Sequence, residues 1–364
     1  MNKTQNTLIT PSEFTILLIS IFTGIGMLYL PNAVIKDAKQ DGWMSCIIGA
    51  LYPLYTLILA NYVCKKFPND DIFTLGRKCF GKILGSILNF VFVLFFIFVG
   101  TTELAGLSNV FKVYSTPFLK EYQIFLAVLA VIAYVSYKGM KPLARLCQVI
   151  FYITIILVFV PSATLRYGSY LNLMPVFGSG FRNILKASKE TAYFYAGGEI
   201  IFFIYPFLQD KKKLLKCGTI GIVVTMFIYT WSAFLTIYYL GIEISPKYLW
   251  PMLTLADSIS IPIINSFRYI FISLWALVAL RCLSIYYFCA SYGLNRVVKK
   301  VSPQAFTIIL YPIILYLSGL YENPIGRMHY TDMILSIYLI YNLIFVSLIA
   351  ILISFKKGDN FEKK

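Results

Sequence analysis

The chain is 364 residues long, 59% hydrophobic and 13% charged, with a net charge of +16 and a mean hydropathy of +0.75. Soluble domains carry about 25% charged residues. Half that share leaves too few polar groups for a water-facing surface, which excludes a soluble domain, a disordered chain and a nucleic-acid module.

A spanning helix needs about 20 mostly apolar residues. Ten such segments follow in chain order: 13–36, 43–64, 83–111, 122–137, 143–161, 190–208, 214–240, 266–290, 304–319 and 333–355. They are too continuously apolar for barrel strands, and lipid requires backbone groups to be satisfied internally, so an all-α membrane protein is expected. The opening MNKTQNTLITPSEF is polar. The apolar run from Phe14 outlasts a signal core of about 7–15 residues, so no removable signal peptide is expected.

With a cytoplasmic N-terminus, 20 of the 32 Lys and Arg fall in inside segments, 11 in outside segments and Arg281 within a span. The positive-inside rule then puts both termini in the cytoplasm. The chain reads as one integral domain, 1–364, with halves at about 13–161 and 190–355 joined by an outer loop at about 162–189. In that loop Phe181, Ile184 and Leu185 lie among Arg182, Lys186 and Lys189, a spacing that suits a short amphipathic helix at the interface. The segment 241–265, with Tyr248, Leu249, Trp250 and Pro251, suits a second. The plainer reading makes both of them covers that anchor the outer face.

Span one, EFTILLISIFTGIGMLYLPNAVIK, has Thr23-Gly24-Ile25-Gly26 near its middle and Pro31 beyond. Span six, TAYFYAGGEIIFFIYPFL, has Gly197-Gly198 near its middle and Pro206 beyond. A glycine-interrupted span heading each half is the pattern of inverted repeats with a binding site at two unwound helices. Unwinding frees backbone groups at membrane depth, and a half-helix N-terminus suits an anionic group such as an amino-acid carboxylate. Glycines that merely allow close helix packing are the competing reading.

Three charges fall well inside spans, away from the span ends: Glu103, Glu199 and Arg281. A mid-membrane charge costs about 2.5–3.5 kcal/mol on insertion scales. Glu199 beside the second break either meets a ligand ammonium, takes part in proton or water movement, or hydrogen-bonds the unwound backbone of span one. Glu103 sits in a polar stretch with Thr101, Thr102 and Ser108. Arg281 either pairs with a carboxylate, binds an acidic partner or snorkels to the interface. Tyr193, Phe194 and Tyr195 are placed to wall a pocket. The expected ligand-binding set is Thr23, Gly24, Ile25, Gly26, Glu103, Tyr195, Gly197, Gly198 and Glu199. The seven cysteines lack CxxC spacing, and His329, placed in an outside loop, has no catalytic neighbours. No disulfide, metal, cofactor or enzymatic activity is expected.

The ten-span layout, TPSEF heading span one, the TGIGMLYLP break and above all NLMPVFGSGFRNILKASKETAYFYAGGEIIFFIYPFL resemble the B subunits of bacterial spore germinant receptors. That family lies within the amino acid–polyamine–organocation transporter superfamily, and the similarity covers nearly the whole chain. The resemblance implies a LeuT-like fold of two inverted five-helix repeats with discontinuous helices one and six. It also implies the spore inner membrane, A- and C-type partner subunits, and a nutrient ligand, more often an amino acid than a sugar. Gly24 and Gly26 match the superfamily's unwound first helix; Gly197, Gly198 and Glu199 match the sixth. Ten spans instead of twelve, and no motif for a coupling ion, weigh against active transport. A stand-alone amino-acid transporter, a scaffold and an ion or water conduit are the alternatives.

Overall fold

The computed structural model describes residues 7–259, 266–321 and 323–356, which are almost wholly helical. The first helix, α1 (Pro11–Phe22), starts on a capping box. The Thr10 hydroxyl accepts from the Glu13 amide at 3.3 Å, and the Glu13 carboxylate accepts from the Thr10 amide at 2.6 Å. The same carboxylate pairs with Lys141 at 2.6 Å, tying this end down. Helix α1 stops where Thr23 and Gly24 leave helical angles, and a single turn at Ile25–Leu28 precedes α2 (Leu30–Ala38). Next come α3 (Gly42–Gly49), α4 (Leu51–Lys66), α5 (Ile72–Phe80), the 33-residue α6 (Lys82–Tyr114), α7 (Glu121–Lys138) and α8 (Met140–Thr154). The remainder is α9 (Phe181–Phe194), α10 (Ile201–Ile204), α11 (Leu214–Ile244), α12 (Pro251–Asp257), α13 (Phe267–Val298), α14 (Pro303–Ser318) and α15 (Pro324–Ser354).

Among the described residues seven helical segments are long and apolar enough to cross a membrane: Leu30–Lys66, Lys82–Tyr114, Glu121–Lys138, Met140–Arg166, Lys211–Lys247, Phe267–Val298 and Pro324–Ser354. The chain is a multi-pass membrane protein, though seven segments qualify where the sequence led to ten. The shortfall has a local cause. The glycine breaks leave Pro11–Phe22 and Gly198–Phe207 as short pieces, and Pro303–Ser318 is 16 residues.

Three expected borders are corrected. Phe181–Phe194 is one helix that leads into the break at Gly197, so the interfacial helix expected within 162–189 is the first half of the second broken helix, which starts before the expected residue 190. Its buried Ile184, Ala187 and Thr191 share one helical face, and the helix packs on α2 and α3. Helix α15 begins well before residue 333, because the Asn323 side chain caps the Gly326 amide at 2.7 Å and Pro324 fills the first position. That start places Arg327 and His329 within a helix instead of an outside loop. In the segment 241–265, Trp250 and most of α12 are buried, so this helix is packed inside; residues 260–265 lie outside the described part.

The two broken helices run side by side in opposite senses. The Ile9 amide donates to the Phe207 carbonyl at 2.8 Å and the Gln209 amide to the Ile9 carbonyl at 3.0 Å. This pins the beginning of the first broken helix to the end of the second. At the other end α2, the second half of the first, packs on α9, the first half of the second. Helix α13 lies against α1 and α6 and carries side chains to the breaks.

Candidate functional site

Unwinding a helix away from water strands amides and carbonyls, each costing several kcal/mol if left alone. At the first break α6 answers with Glu103, whose Oε2 accepts from the Ile25 amide at 2.7 Å. The approach is so close that a Cβ on Gly24 would lie 2.4 Å from that oxygen and 3.1 Å from the Cys282 Sγ. Gly24 is thus required by the carboxylate. On the opposite side the Tyr229 hydroxyl of α11 donates toward the Phe22 carbonyl at 2.6 Å, and the Cys282 thiol of α13 toward the Ile21 carbonyl at 3.4 Å.

The second break turns at Gly197, whose φ of +99° is the left-handed region that a side chain disfavours. A Cβ there would also meet the Tyr286 hydroxyl at 2.6 Å. Glu199, wholly buried, folds back to accept from the Gly197 amide at 3.0 Å and takes the Tyr52 hydroxyl of α4. Tyr286 of α13 donates to the Ala196 carbonyl at 3.1 Å, and Tyr229 reaches the Phe194 carbonyl at 2.8 Å. Tyr229 therefore stands on both breaks with one proton shared between two carbonyls.

Between the breaks lies a cavity of about 130 Å³. Gly24, Ile25, Gly26 and Glu103 line it, as do Phe194, Ala196, Cys282 and Tyr286. Arg327 and Asp332 come from α15, Lys36 from α2 and Glu190 from α9. Arg327 is 7% exposed; its Nη1 donates to the Thr102 carbonyl at 3.2 Å while its Nε has no partner. Among the described residues no ion pair within 4.0 Å joins Arg327 to Glu103, so one cavity holds a carboxylate and a guanidinium that do not neutralise each other by contact.

The sequence-expected residues divide between the cavity and its back wall. Gly24, Ile25, Gly26 and Glu103 face the cavity; Thr23, Tyr195, Gly197, Gly198 and Glu199 are not among its lining. Tyr195 packs edge-on against Phe22 and reaches the Cys46 carbonyl at 3.3 Å, so Tyr193 and Phe194 form the wall in its place. Arg281 neither pairs with a carboxylate nor snorkels. It is 3% exposed, donates to the Thr23 hydroxyl at 3.2 Å, and lies over the Phe151 ring at 5.6 Å. Sequence reasoning missed Tyr229, Tyr286, Tyr52 and Arg327. Only Arg327 had a usable local signal, the Asn323-Pro324 helix start. Among the described residues no cluster of three or more His, Cys, Asp or Glu could hold a metal ion.

The double role of Tyr229 gives a direct expectation. Tyr229→Phe keeps the ring and strands the Phe22 and Phe194 carbonyls, so it should destabilise the protein by about 1–3 kcal/mol. Thermal unfolding in detergent checks this; an unchanged midpoint would show that neither carbonyl depends on the hydroxyl.

Known proteins share both the sequence pattern and the shape. Spore germination protein YndE of Bacillus subtilis (strain 168) is 28% identical over 320 residues, 86% of this chain and 88% of that protein. Spore germination protein GerQB of Bacillus cereus is 27% identical over 309 residues, 85% of this chain and 84% of that protein. Spore germination protein B2 of Bacillus subtilis (strain 168) is 26% identical over 267 residues, 72% of this chain and 71% of that protein. A solved structure, the substrate-bound outward-open state of a Na+-coupled sialic acid symporter, superposes with a TM-score of 0.66 at 9% identity. It covers 95% of this chain and 78% of the other, which establishes a shared transporter-type fold. Residues 8–326 match the spore germination protein (spore permease) family, and with two glycine-broken helices inside that match, the chain belongs to this family of membrane proteins.

Proposed function

We propose that the chain is the nutrient-sensing membrane subunit of a spore germinant receptor, that it binds a small zwitterion in the cavity at the two breaks, and that the ligand is an amino acid. The observation that carries this reading is the pairing of Glu103 and Arg327 in one small cavity without contact between them. A carboxylate there suits a ligand ammonium and the Arg327 guanidinium suits a ligand carboxylate. Glu103 also occupies the Ile25 amide, the freed donor that an anionic ligand would otherwise use. Recognition of the ligand carboxylate therefore falls to Arg327, and the Glu199 latch holds the second break from behind.

Signalling follows from the breaks. A ligand shifts a conformational equilibrium only by its differential affinity for the two states, and a ligand between α6, α9 and α15 bears on both broken helices at once. The change passes to A- and C-type partner subunits. In this reading the opposed broken helices are the first members of two inverted five-helix repeats, about 13–161 and 190–355. Both termini face the cytoplasm of a cell whose spore carries the protein in its inner membrane. Support for the inversion comes from the pinning of Ile9 to residues 207–209 at one end and the packing of α2 on α9 at the other.

The symporter likeness favours a second reading, a stand-alone secondary transporter. Liposomes separate the two. Purified protein without partners should bind a labelled amino acid and leave it unconcentrated; uptake against a gradient would establish the transporter instead.

A further inference from the structure

We propose that the groove between α5, the start of α6 and the end of α13 binds the phosphate of an anionic phospholipid. The groove measures about 330 Å³ and is lined by Thr74, Arg77, Lys78, Lys82, Arg296 and Lys299, five cations and a hydroxyl with no carboxylate. Two of the cations are committed, Lys78 to Asp70 at 2.5 Å and Arg296 to Asp71 at 2.8 Å. Arg77 gives Nη1 to the Arg296 carbonyl at 2.7 Å, which fixes its position without cancelling its charge. Among the described residues Arg77, Lys82 and Lys299 have no ion-pair partner. Like charges held together repel, and an anion between them removes that cost.

The start of α6 adds to the field. Its N-cap is Gly81, which supplies no side chain to the first amides, and a Cβ on Gly81 would meet nothing within 4 Å. A 33-residue helix thus begins beside Lys82 without a side-chain cap on its positive end. A phosphate, with several acceptor oxygens, can take lysine charge, guanidinium N–H and helix amides together.

The surroundings select a lipid over free phosphate. Directly beyond Lys82, α6 exposes Ile83 (79%), Leu84 (52%), Ile87 (56%) and Phe90 (44%). That apolar stripe begins at the basic groove and runs up the helix, so one amphiphile can place its headgroup among the cations and its acyl chain along α6. Basic pockets between helices at a membrane border are suited to anionic headgroups in this way.

Native mass spectrometry of the full-length protein, titrated with phosphatidylglycerol, tests the site. Lys82→Gln/Lys299→Gln should weaken phosphatidylglycerol binding by about 30-fold, taking about 1 kcal/mol for each lysine. Lys211→Gln/Lys212→Gln, which removes the same charge elsewhere, should leave it unchanged, and phosphatidylcholine should not compete. Equal loss in both double variants would overturn the site. Inorganic phosphate binding that needs Lys82 and Lys299, with no gain from the lipid, would overturn the lipid assignment.

Discussion

Replacing Gly24 with alanine should destabilise the protein by about 1.5–3 kcal/mol while it still reaches the membrane. The new Cβ would sit 2.4 Å from Glu103 Oε2, so the carboxylate must leave the Ile25 amide. Losing a buried hydrogen bond to a charged group costs about 1.5–3 kcal/mol of stability. The backbone is not the obstacle, since Gly24 has an extended conformation with negative φ. Relief should therefore come from shortening the neighbour. In a double-mutant cycle, Gly24→Ala combined with Glu103→Ala should cost clearly less stability than the two single losses added, because one contact underlies both. Strict additivity in thermal unfolding would show that Glu103 does not press on Gly24.

The second large effect concerns Arg327. Removing one partner of a buried ion pair costs about 3–5 kcal/mol, and a separated pair of buried opposite charges loses less. Arg327→Met should thus destabilise the protein through Glu103, even though the two side chains make no contact ion pair. Glu103→Gln should be mild by comparison, because a glutamine oxygen can still accept from the Ile25 amide. Combining Glu103→Gln with Arg327→Met should restore most of the stability that Arg327→Met removes, and ligand binding should stay lost. Recovery of binding along with stability would place the ligand elsewhere.

These two residues also show how far the sequence could be read. The breaks were legible because glycine and proline act locally: Thr23-Gly24-Ile25-Gly26 and Gly197-Gly198 unwind where their composition says they should. Glu103 was legible as a charge in an apolar helix. Arg327 was not, because the polar run around it outweighed the Asn323 cap and Pro324 that start α15. Tyr229 and Tyr286 are two among 28 tyrosines, and nothing local sets them apart from lipid-facing ones. Their place on the stranded carbonyls depends on how α11 and α13 pack, a long-range property. The position of Glu199 behind the cavity is of the same kind, since the turn at Gly197 rotates the carboxylate back onto its own amide and toward Tyr52.

Equilibrium binding of labelled amino acids to the purified full-length protein tests the central claim most directly. Wild type should bind at least one of them saturably. Glu103→Gln, still folded by thermal unfolding, should bind it about tenfold or more weakly, since charge-assisted hydrogen bonds are roughly twice as strong as neutral ones. Undiminished affinity in a folded Glu103→Gln protein would contradict the account.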